Sequence, residues 1–197
     1  EPLVDFAAIP YYLLSKYARK KVKVVIAGQG GDELFGGYKH YKRMVDIMKF
    51  GKYIPKNLVN LGSKIPHKKI QRASELLSIS NDITKIYSDT YFVFKEKELK
   101  NIFKINGDML LKPIKSVYKS NIKEHLNKIL YLDQKLLLSE YFNMVVDKTT
   151  MANSMEGRVP YIDKFVADFS FNLNQKLKAN NDKEKIILKN LGKNLLP

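Results

Sequence analysis

The stretch Val22–Tyr38, VKVVIAGQGGDELFGGY, sets the fold prediction for this chain. It opens with four β-branched residues in nearly continuous order: Val22, Val24, Val25 and Ile26. Such a run is typical of a strand that is buried on both faces of a parallel sheet. Glycines and two adjacent carboxylates follow it: Gly28, Gly30, Gly31, Asp32 and Glu33. The sequence therefore predicts one buried parallel strand near residues 22–27 that leads through a glycine-rich turn into a short helix.

The glycine-rich turn allows two interpretations. The glycines can serve only the bend between a strand and a helix. Alternatively, backbone N–H groups of the turn face a phosphate, and Asp32 contributes a carboxylate oxygen to a Mg²⁺ ion. Ligands of α/β proteins bind at the carboxyl ends of parallel strands, which is where residues 28–33 are expected to lie. This placement favours a nucleotide or metal site.

The composition limits the class of protein. A chain of 197 residues, 45% of them hydrophobic, can form one or two domains with a core. Because the chain has no cysteine, disulfides, zinc–thiolate sites and cysteine nucleophiles are excluded from it. No apolar run approaches the ~20 residues of a membrane helix, and no signal segment opens the sequence. We therefore expect a cytoplasmic protein with no membrane partner.

The net charge of +15 raises the question of nucleic-acid binding. Only four of the 35 basic residues are arginine, the residue best suited to base readout and bidentate phosphate contacts. The lysines are also spread along the whole chain rather than clustered. A solvated lysine-rich surface is therefore the better interpretation, and a nucleic-acid partner is not expected.

Beyond Tyr38 the apolar residues recur at helical spacing. Apolar stripes are centred on residues 56–62, 68–78, 82–94, 96–103, 114–129, 130–155 and 163–171, with prolines such as Pro113 between them. Residues 175–185 are polar and predict a surface loop before a last helix that ends near Gly192. We predict an α/β edge with the glycine turn over residues 1–50 and a helical body over 51–197. Since the chain does not begin with Met, we also expect it to be part of a longer protein.

A second group of polar residues lies in the segment Val146–Ser154. Lys148 stands there among apolar and small residues. Its side chain can extend to the surface along its aliphatic stem, or it can direct its ammonium at a phosphate. The following residues Glu156, Arg158 and Asp163 are interpreted as structural, because Glu–Arg pairs beside a proline turn usually hold a loop in place.

Together these segments resemble the glutamine-hydrolysing asparagine synthetases. That family carries a Ser-Gly-acid-Gly-x-Asp-Glu-(Leu/Val)-Phe-Gly-Gly-Tyr turn, which Ala27–Tyr38 matches. It also carries an Asp-(Lys/Arg)-x-(Ser/Thr)-Met-Ala-x-Ser-x-Glu-x-Arg-Val-Pro-(Phe/Tyr)-(Leu/Ile)-Asp segment, which Asp147–Asp163 matches. Further similarity lies in Asp5–Leu14 and in Lys185–Pro197. The resemblance implies the C-terminal part of a synthetase domain with an adenine-nucleotide α-hydrolase-like (ATP pyrophosphatase) fold.

The resemblance also implies an activity. Such enzymes use Mg²⁺ and ATP to adenylate the side-chain carboxylate of aspartate, and ammonia from an N-terminal glutaminase domain then displaces AMP to give asparagine. The positions that match the family's site have the following implied roles. Ala27, Gly28 and Gly30 line the nucleotide site, Asp32 binds Mg²⁺, Lys148 contacts pyrophosphate, and Gln29 lies beside the carboxylate acceptor, at a position often occupied by a catalytic acid.

Four departures from the family pattern bear on this expectation. Gln29 is an amide and cannot take a proton from attacking ammonia, whereas Ala27 in place of Ser matters little where only the backbone touches ATP. The family's Ser-Gly-Gly-x-Asp-Ser pyrophosphate loop is absent from these residues. So is the glutaminase domain with its catalytic cysteine. We therefore expect the 197-residue piece by itself neither to hydrolyse ATP nor to make asparagine.

Two alternatives to an aspartate-specific ligase remain at this point. An asparagine-synthetase-like amidotransferase could act on another carboxylate, such as a cell-surface sugar or a secondary metabolite, and Gln29 is compatible with that. A non-catalytic basic helical scaffold or nucleic-acid binder would require the lysines to cluster on one face. A second copy of the chain, which would give a homodimer, is retained as a further partner.

Overall fold

The computed structural model describes residues 3, 5–94, 96–103, 107–119, 121–180 and 182–196. The chain is mostly helical and carries a two-stranded parallel sheet. The helices are α1 (Ala8–Ala18), α2 (Gly31–Phe35), α3 (Lys39–Phe50), α4 (Lys56–Lys64), α5 (Lys68–Ser78), α6 (Ile83–Tyr91), α7 (Glu96–Phe103), α8 (Gly107–Val117), α9 (His125–Asp133), a π-helix (Gln134–Phe142), α10 (Asn143–Met151), α11 (Lys164–Asn172), α12 (Gln175–Lys178) and α13 (Ile186–Leu195). The strands are β1 (Val24–Ile26) and β2 (Glu156–Arg158).

The chain divides into two compact units. The first comprises Glu1–Gly37 and Leu130–Pro197, and the second comprises Tyr38–Ile129. The expectation that all these residues form the C-terminal part of one synthetase domain stays a prediction.

The sheet of the first unit is held by its backbone and by one close helix contact. Val24 pairs with Glu156 and Ile26 with Arg158 in parallel register, and the Ala27 N–H donates to the Arg158 carbonyl over 2.8 Å. Helix α10 packs on β2 so closely that a Cβ on Gly157 would lie 2.8 Å from Val146 Cγ1. The parallel strand predicted near residues 22–27 is confirmed in position. β2 was not predicted, because Glu-Gly-Arg carries no strand preference of its own.

The prediction that the first strand is buried on both faces is wrong for the described residues. Val24 is 41% exposed and Ile26 is 78% exposed. The apolar stripe of α1 is open in the same way, since Leu13, Leu14 and Tyr17 are all exposed. The described sheet has only two strands, and α10 packs mainly on the second of them, β2. The apolar side chains of β1 and α1 are thus not covered by another layer of the described residues.

The second unit buries its own core. Its most deeply buried side chains are Tyr41, Met44, Ile86, Tyr87, Ile114 and Ile129. The helices predicted from the stripes at 56–62, 68–78, 82–94 and 96–103 are confirmed as α4 to α7. The stripe predicted over 114–129 is instead divided between α8 and α9. Pro113, predicted as a break, lies inside α8, where burial of Leu111 and Ile114 compensates the missing backbone donor.

Two further differences concern the C-terminal half. The polar residues 175–185 do not form a loop throughout, because α12 begins there, with the Asn174 side chain accepting the Lys176 N–H over 2.9 Å. Lys178 in this helix is only 1% exposed. The long amphipathic run predicted over 130–155 is helical, but its centre is a π-helix. That element lies against the glycine turn, since a Cβ on Gly30 would lie 3.6 Å from Leu138 Cδ2.

No helix in the described ranges is both long and apolar enough to cross a bilayer.

Two histidines of the second unit make its stability depend on pH. Burial, reinforced by Arg43, lowers the pKa of His40, whose Nε2 lies 2.7 Å from the Tyr91 hydroxyl. Burial also lowers the pKa of His125, with Lys128, Lys49 and Lys52 contributing. Because both folded pKa values lie below the ordinary value of 6.5, the unfolded chain binds more protons as the pH falls below 6.5. We therefore expect the free energy of unfolding to decrease over that range.

Urea unfolding followed at a series of pH values from neutral to mildly acidic tests this expectation. The denaturation midpoint should fall with pH in the natural sequence. In a His40→Gln, His125→Gln double variant the same acidification should lower the midpoint less. An equal slope in the two proteins would show that these histidines are not the cause.

Candidate functional site

The turn after β1 is shaped by Gly30 and held by Glu33. Gly30 has a φ of +91°, a conformation that residues with a side chain rarely adopt. Its N–H donates to Glu33 Oε2 over 3.0 Å, and Glu33 is 3% exposed. Gly30 is closed in by Tyr161, because a Cβ there would lie 3.0 Å from Tyr161 Cβ. Glu33 is therefore engaged in holding the turn.

Asp32, the carboxylate that precedes Glu33, is partly exposed at the surface of the turn. Its Oδ1 lies 2.8 Å from Lys185 Nζ, and both side chains are about one-third exposed. Gly37 leaves the room for this pair, because a Cβ at that position would overlap both Asp32 Oδ1 and Lys185 Cε. Lys185 itself has a φ of +50°, which is uncommon for a non-glycine residue. Such conformations persist where the surrounding structure holds them, and they are frequent at functional sites.

Lys185 has no sequence signal of its own that marks it as a site residue. It lies 153 positions after Asp32, and only its place at the start of the Lys185–Pro197 similarity marked it. The structure brings the two residues together because α13 packs against α2 in the first unit.

A cavity of about 720 Å³ opens beside the turn. Gly28, Gly31 and Tyr161 line one side of it, and residues of α13 and the lysine that precedes it line the other. Lys185, Lys189 and Lys193 recur every fourth residue along this second side and so share a face. A Cβ on Gly28 would meet nothing within 4 Å, so the backbone there is open to a ligand. The cavity thus combines exposed backbone with three lysines, one of them paired with Asp32, and this lining suits an anionic ligand.

Gln29 lies in this turn, and only the nitrogen of its side-chain amide has a hydrogen-bond partner among the described residues. Its Nε2 donates to the Tyr11 hydroxyl over 2.6 Å. Its Oε1 is buried and accepts no hydrogen bond from the residues that the structure describes. An amide cannot act as an acid or base at neutral pH, but this oxygen can accept an N–H group from a ligand.

The predicted site residues are therefore brought together in part. Ala27, Gly28, Gln29 and Gly30 form the turn, and Asp32 follows it within reach of Lys185. Lys148 lies half-buried on α10. Of the six predicted site residues only Gly28 is among the described residues that line the cavity. The assigned roles of all six residues stay predictions.

The residues of the turn can hold Mg²⁺ only in company with a ligand. Among the residues that the structure describes, no group of three or more histidines or carboxylates could hold a metal ion. Mg²⁺ commonly takes one or two carboxylates and completes its shell with phosphate oxygens and water. Asp32 fits that arrangement as the single protein carboxylate, since Glu33 is engaged by Gly30.

Comparison with known proteins decides the family. A family model described as asparagine synthase matches residues 1–197, which is the whole chain. The chain belongs to the asparagine synthase family. "Asparagine synthetase (glutamine-hydrolyzing) 1" of Bacillus subtilis (strain 168) is 31% identical over 204 residues, covering 100% of this chain and 32% of that protein. The resemblance stated from the two motifs is thereby confirmed.

Other asparagine synthase relatives agree. A protein of Mycobacterium bovis named "Putative asparagine synthetase (glutamine-hydrolyzing)" is 30% identical over 175 residues, 83% of this chain and 26% of that protein. One of Methanocaldococcus jannaschii, named "Putative asparagine synthetase (glutamine-hydrolyzing) 2", is 46% identical over 69 residues, 35% of this chain and 13% of that protein. The comparison with solved structures gave no significant match. The chain spans about a third or less of the length of these relatives.

Proposed function

We propose that this chain is part of an ATP-dependent ligase that adenylates the side-chain carboxylate of aspartate and forms asparagine with ammonia derived from glutamine. The single observation that carries the proposal is the Asp32–Lys185 pair at the cavity that Gly28, Gly31 and the α13 lysines line. Family membership supports it, because the relatives are named glutamine-hydrolysing asparagine synthetases. A cytoplasmic location, a glutaminase domain elsewhere in the protein and a homodimer are parts of the same proposal.

The chemistry assigns distinct roles to residues of the turn, of the cavity and of α10. A carboxylate oxygen of the acceptor bonds to the α-phosphorus of ATP, and the bond to the departing pyrophosphate breaks. Lys185 and Lys189 stabilise the negative charge that develops on that leaving group, as Lys148 does from α10. The open backbone at Ala27 and Gly28 lets the nucleotide approach closely. When bound, Mg²⁺ would neutralise phosphate charge as a Lewis acid, with Asp32 as its protein ligand.

Gln29 is proposed to position a nitrogen nucleophile. In the second step ammonia attacks the acyl carbon and AMP leaves, so a proton must pass from nitrogen to a base. Gln29 cannot be that base, but its buried Oε1 can accept an N–H group and orient the nitrogen. Tyr11 fixes the amide through its hydroxyl.

The amide at position 29 favours a second candidate function. A family member with an amide at this position could amidate a carboxylate other than that of aspartate. The two candidates share the adenylation step and differ only in the acceptor.

Acceptor-dependent exchange of pyrophosphate into ATP by the full-length protein tests both candidates. We expect exchange with aspartate well above that without acceptor, and we expect the 197-residue piece alone to show none. Preference for another carboxylic acid in a panel would support the second candidate. Absence of exchange with every acceptor would refute adenylation, and exchange by the isolated piece would refute the expectation that these residues form only part of the site.

A further inference from the structure

One surface of the second unit is cationic, free of acid and unusually apolar. We define it as the cationic hairpin: the end of α3 from Lys49, the turn Gly51–Tyr53, helix α4 and the start of α5 to Ile70. No aspartate or glutamate occurs between Asp46 and Glu75, a run of 28 residues. With 20 acidic residues in 197, such a run would hold about three on average. Six of the 22 residues from Lys49 to Ile70 are lysine, so the even spread expected of the lysines does not hold for this segment and its charge is locally concentrated.

The lysines of the hairpin are all exposed. They are Lys49, Lys52, Lys56, Lys64, Lys68 and Lys69. None of them forms an ion pair with any residue that the structure describes. The one arginine of the run, Arg72, is engaged with Glu75 and Asp89. The hairpin thus presents six uncompensated positive charges on a single helical hairpin.

Large apolar side chains stand between these lysines. Phe50 is 61% exposed, Tyr53 74%, Leu58 59% and Leu61 60%. Leu58 and Leu61 are three residues apart and so share a face of α4. Only Gly62 of this helix is buried, where it approaches the Ser74 hydroxyl of α5. The backbone of α4 therefore comes close to α5 at Gly62, while Leu58 and Leu61 stay largely exposed.

We propose that the cationic hairpin binds an anionic lipid surface and lies in the plane of the bilayer interface. Exposed lysines interleaved with exposed Leu, Phe and Tyr suit interfacial binding, because lysines attract anionic headgroups and apolar side chains enter the acyl boundary. A nucleic acid would favour arginine, of which residues 49–70 contain none, and it would leave Leu58, Leu61 and Ile65 without a role. Such contact needs no spanning helix, so it departs from the expectation of no membrane partner, which rested on the absence of a spanning run and of a signal segment. It is independent of the ligase reaction.

Vesicle sedimentation with the full-length protein tests the proposal. The probes are vesicles of phosphatidylcholine alone and of equal phosphatidylcholine and phosphatidylglycerol. Binding should require the anionic lipid and weaken as salt is raised. A Leu58→Gln, Leu61→Gln variant should bind roughly tenfold or more weakly. A variant with Lys56, Lys64, Lys68 and Lys69 changed to Gln should bind about a hundredfold or more weakly.

A matched control separates the hairpin from the overall charge. It carries Lys16→Gln, Lys20→Gln, Lys21→Gln and Lys164→Gln, four exposed lysines of the first unit, and should bind nearly as the natural sequence does. Unfolding curves of every variant establish that the fold is intact. Equal losses in the control and the hairpin variant, or no dependence on Leu58 and Leu61, would overturn the proposal. So would binding to single-stranded RNA or to an acidic protein without binding to anionic vesicles.

Discussion

Replacing Asp32 with asparagine should reduce aspartate-dependent ATP–pyrophosphate exchange by the full-length protein about a thousandfold. The change keeps the shape of the side chain and removes its charge. Asp32 is the carboxylate of the turn that does not hold the backbone, since the Glu33 side chain accepts the Gly30 N–H. Its loss would leave Lys185 without its partner at 2.8 Å and the proposed metal without its protein ligand. The measurement is kcat and KM for ATP in the exchange reaction.

Asp168→Asn is the matched control for this experiment. Asp168 is an exposed carboxylate on α11 of the same unit, and it forms no ion pair with any residue that the structure describes, whereas Asp32 is paired with Lys185. Its substitution should leave exchange within about twofold of the natural protein, because the unit loses a charge but the site does not. Normal turnover in Asp32→Asn would disprove the role assigned to Asp32. A fall of the same size in Asp168→Asn would show that the effect is not specific to the site.

Replacing Gly37 with alanine should displace the Asp32–Lys185 ion pair while leaving both charges in the protein. The new Cβ would overlap Asp32 Oδ1 and Lys185 Cε, so at least one side chain must move. We expect about 1–3 kcal/mol of destabilisation, as overpacking typically costs, and a loss of exchange of about a hundredfold from the displaced carboxylate. Urea unfolding and the exchange assay measure the two effects.

Gly28→Ala provides the contrasting variant for the unfolding measurement. A Cβ on Gly28 meets nothing within 4 Å, so its free energy of unfolding should equal or exceed that of the natural sequence. The side chain would nevertheless extend into the cavity and weaken nucleotide binding. A stable Gly37→Ala protein with normal exchange would show that the Asp32–Lys185 pair tolerates displacement and does not organise the site.

The parts of the fold that could be predicted are those that local sequence determines. The β-branched run before Gly28 gave the position of β1, and the spacing of apolar residues gave α4 to α7. The glycine turn could be located because φ of +91° at Gly30 has a direct sequence signal.

The remaining features depend on contacts between distant residues. β2 is a strand because Arg158 and its neighbours pair with β1 and pack under α10, and the sequence Glu-Gly-Arg holds no sign of that. Lys185 joins Asp32 across 153 positions, a proximity that only tertiary structure creates. Burial could not be predicted for β1 for the same reason, since exposure depends on which layers surround a strand and not on its composition.

The incomplete cover of β1 bears on how this segment behaves when it is made by itself. β1 pairs with β2 along one side only among the described residues, so its other edge retains free backbone donors and acceptors. An open edge next to exposed valine and isoleucine is a template for β-pairing between molecules. Self-association in concentrated solution, and not loss of helix, is therefore the failure expected of this segment. Additional polypeptide that pairs with or covers this edge of β1 would therefore raise the solubility of the segment.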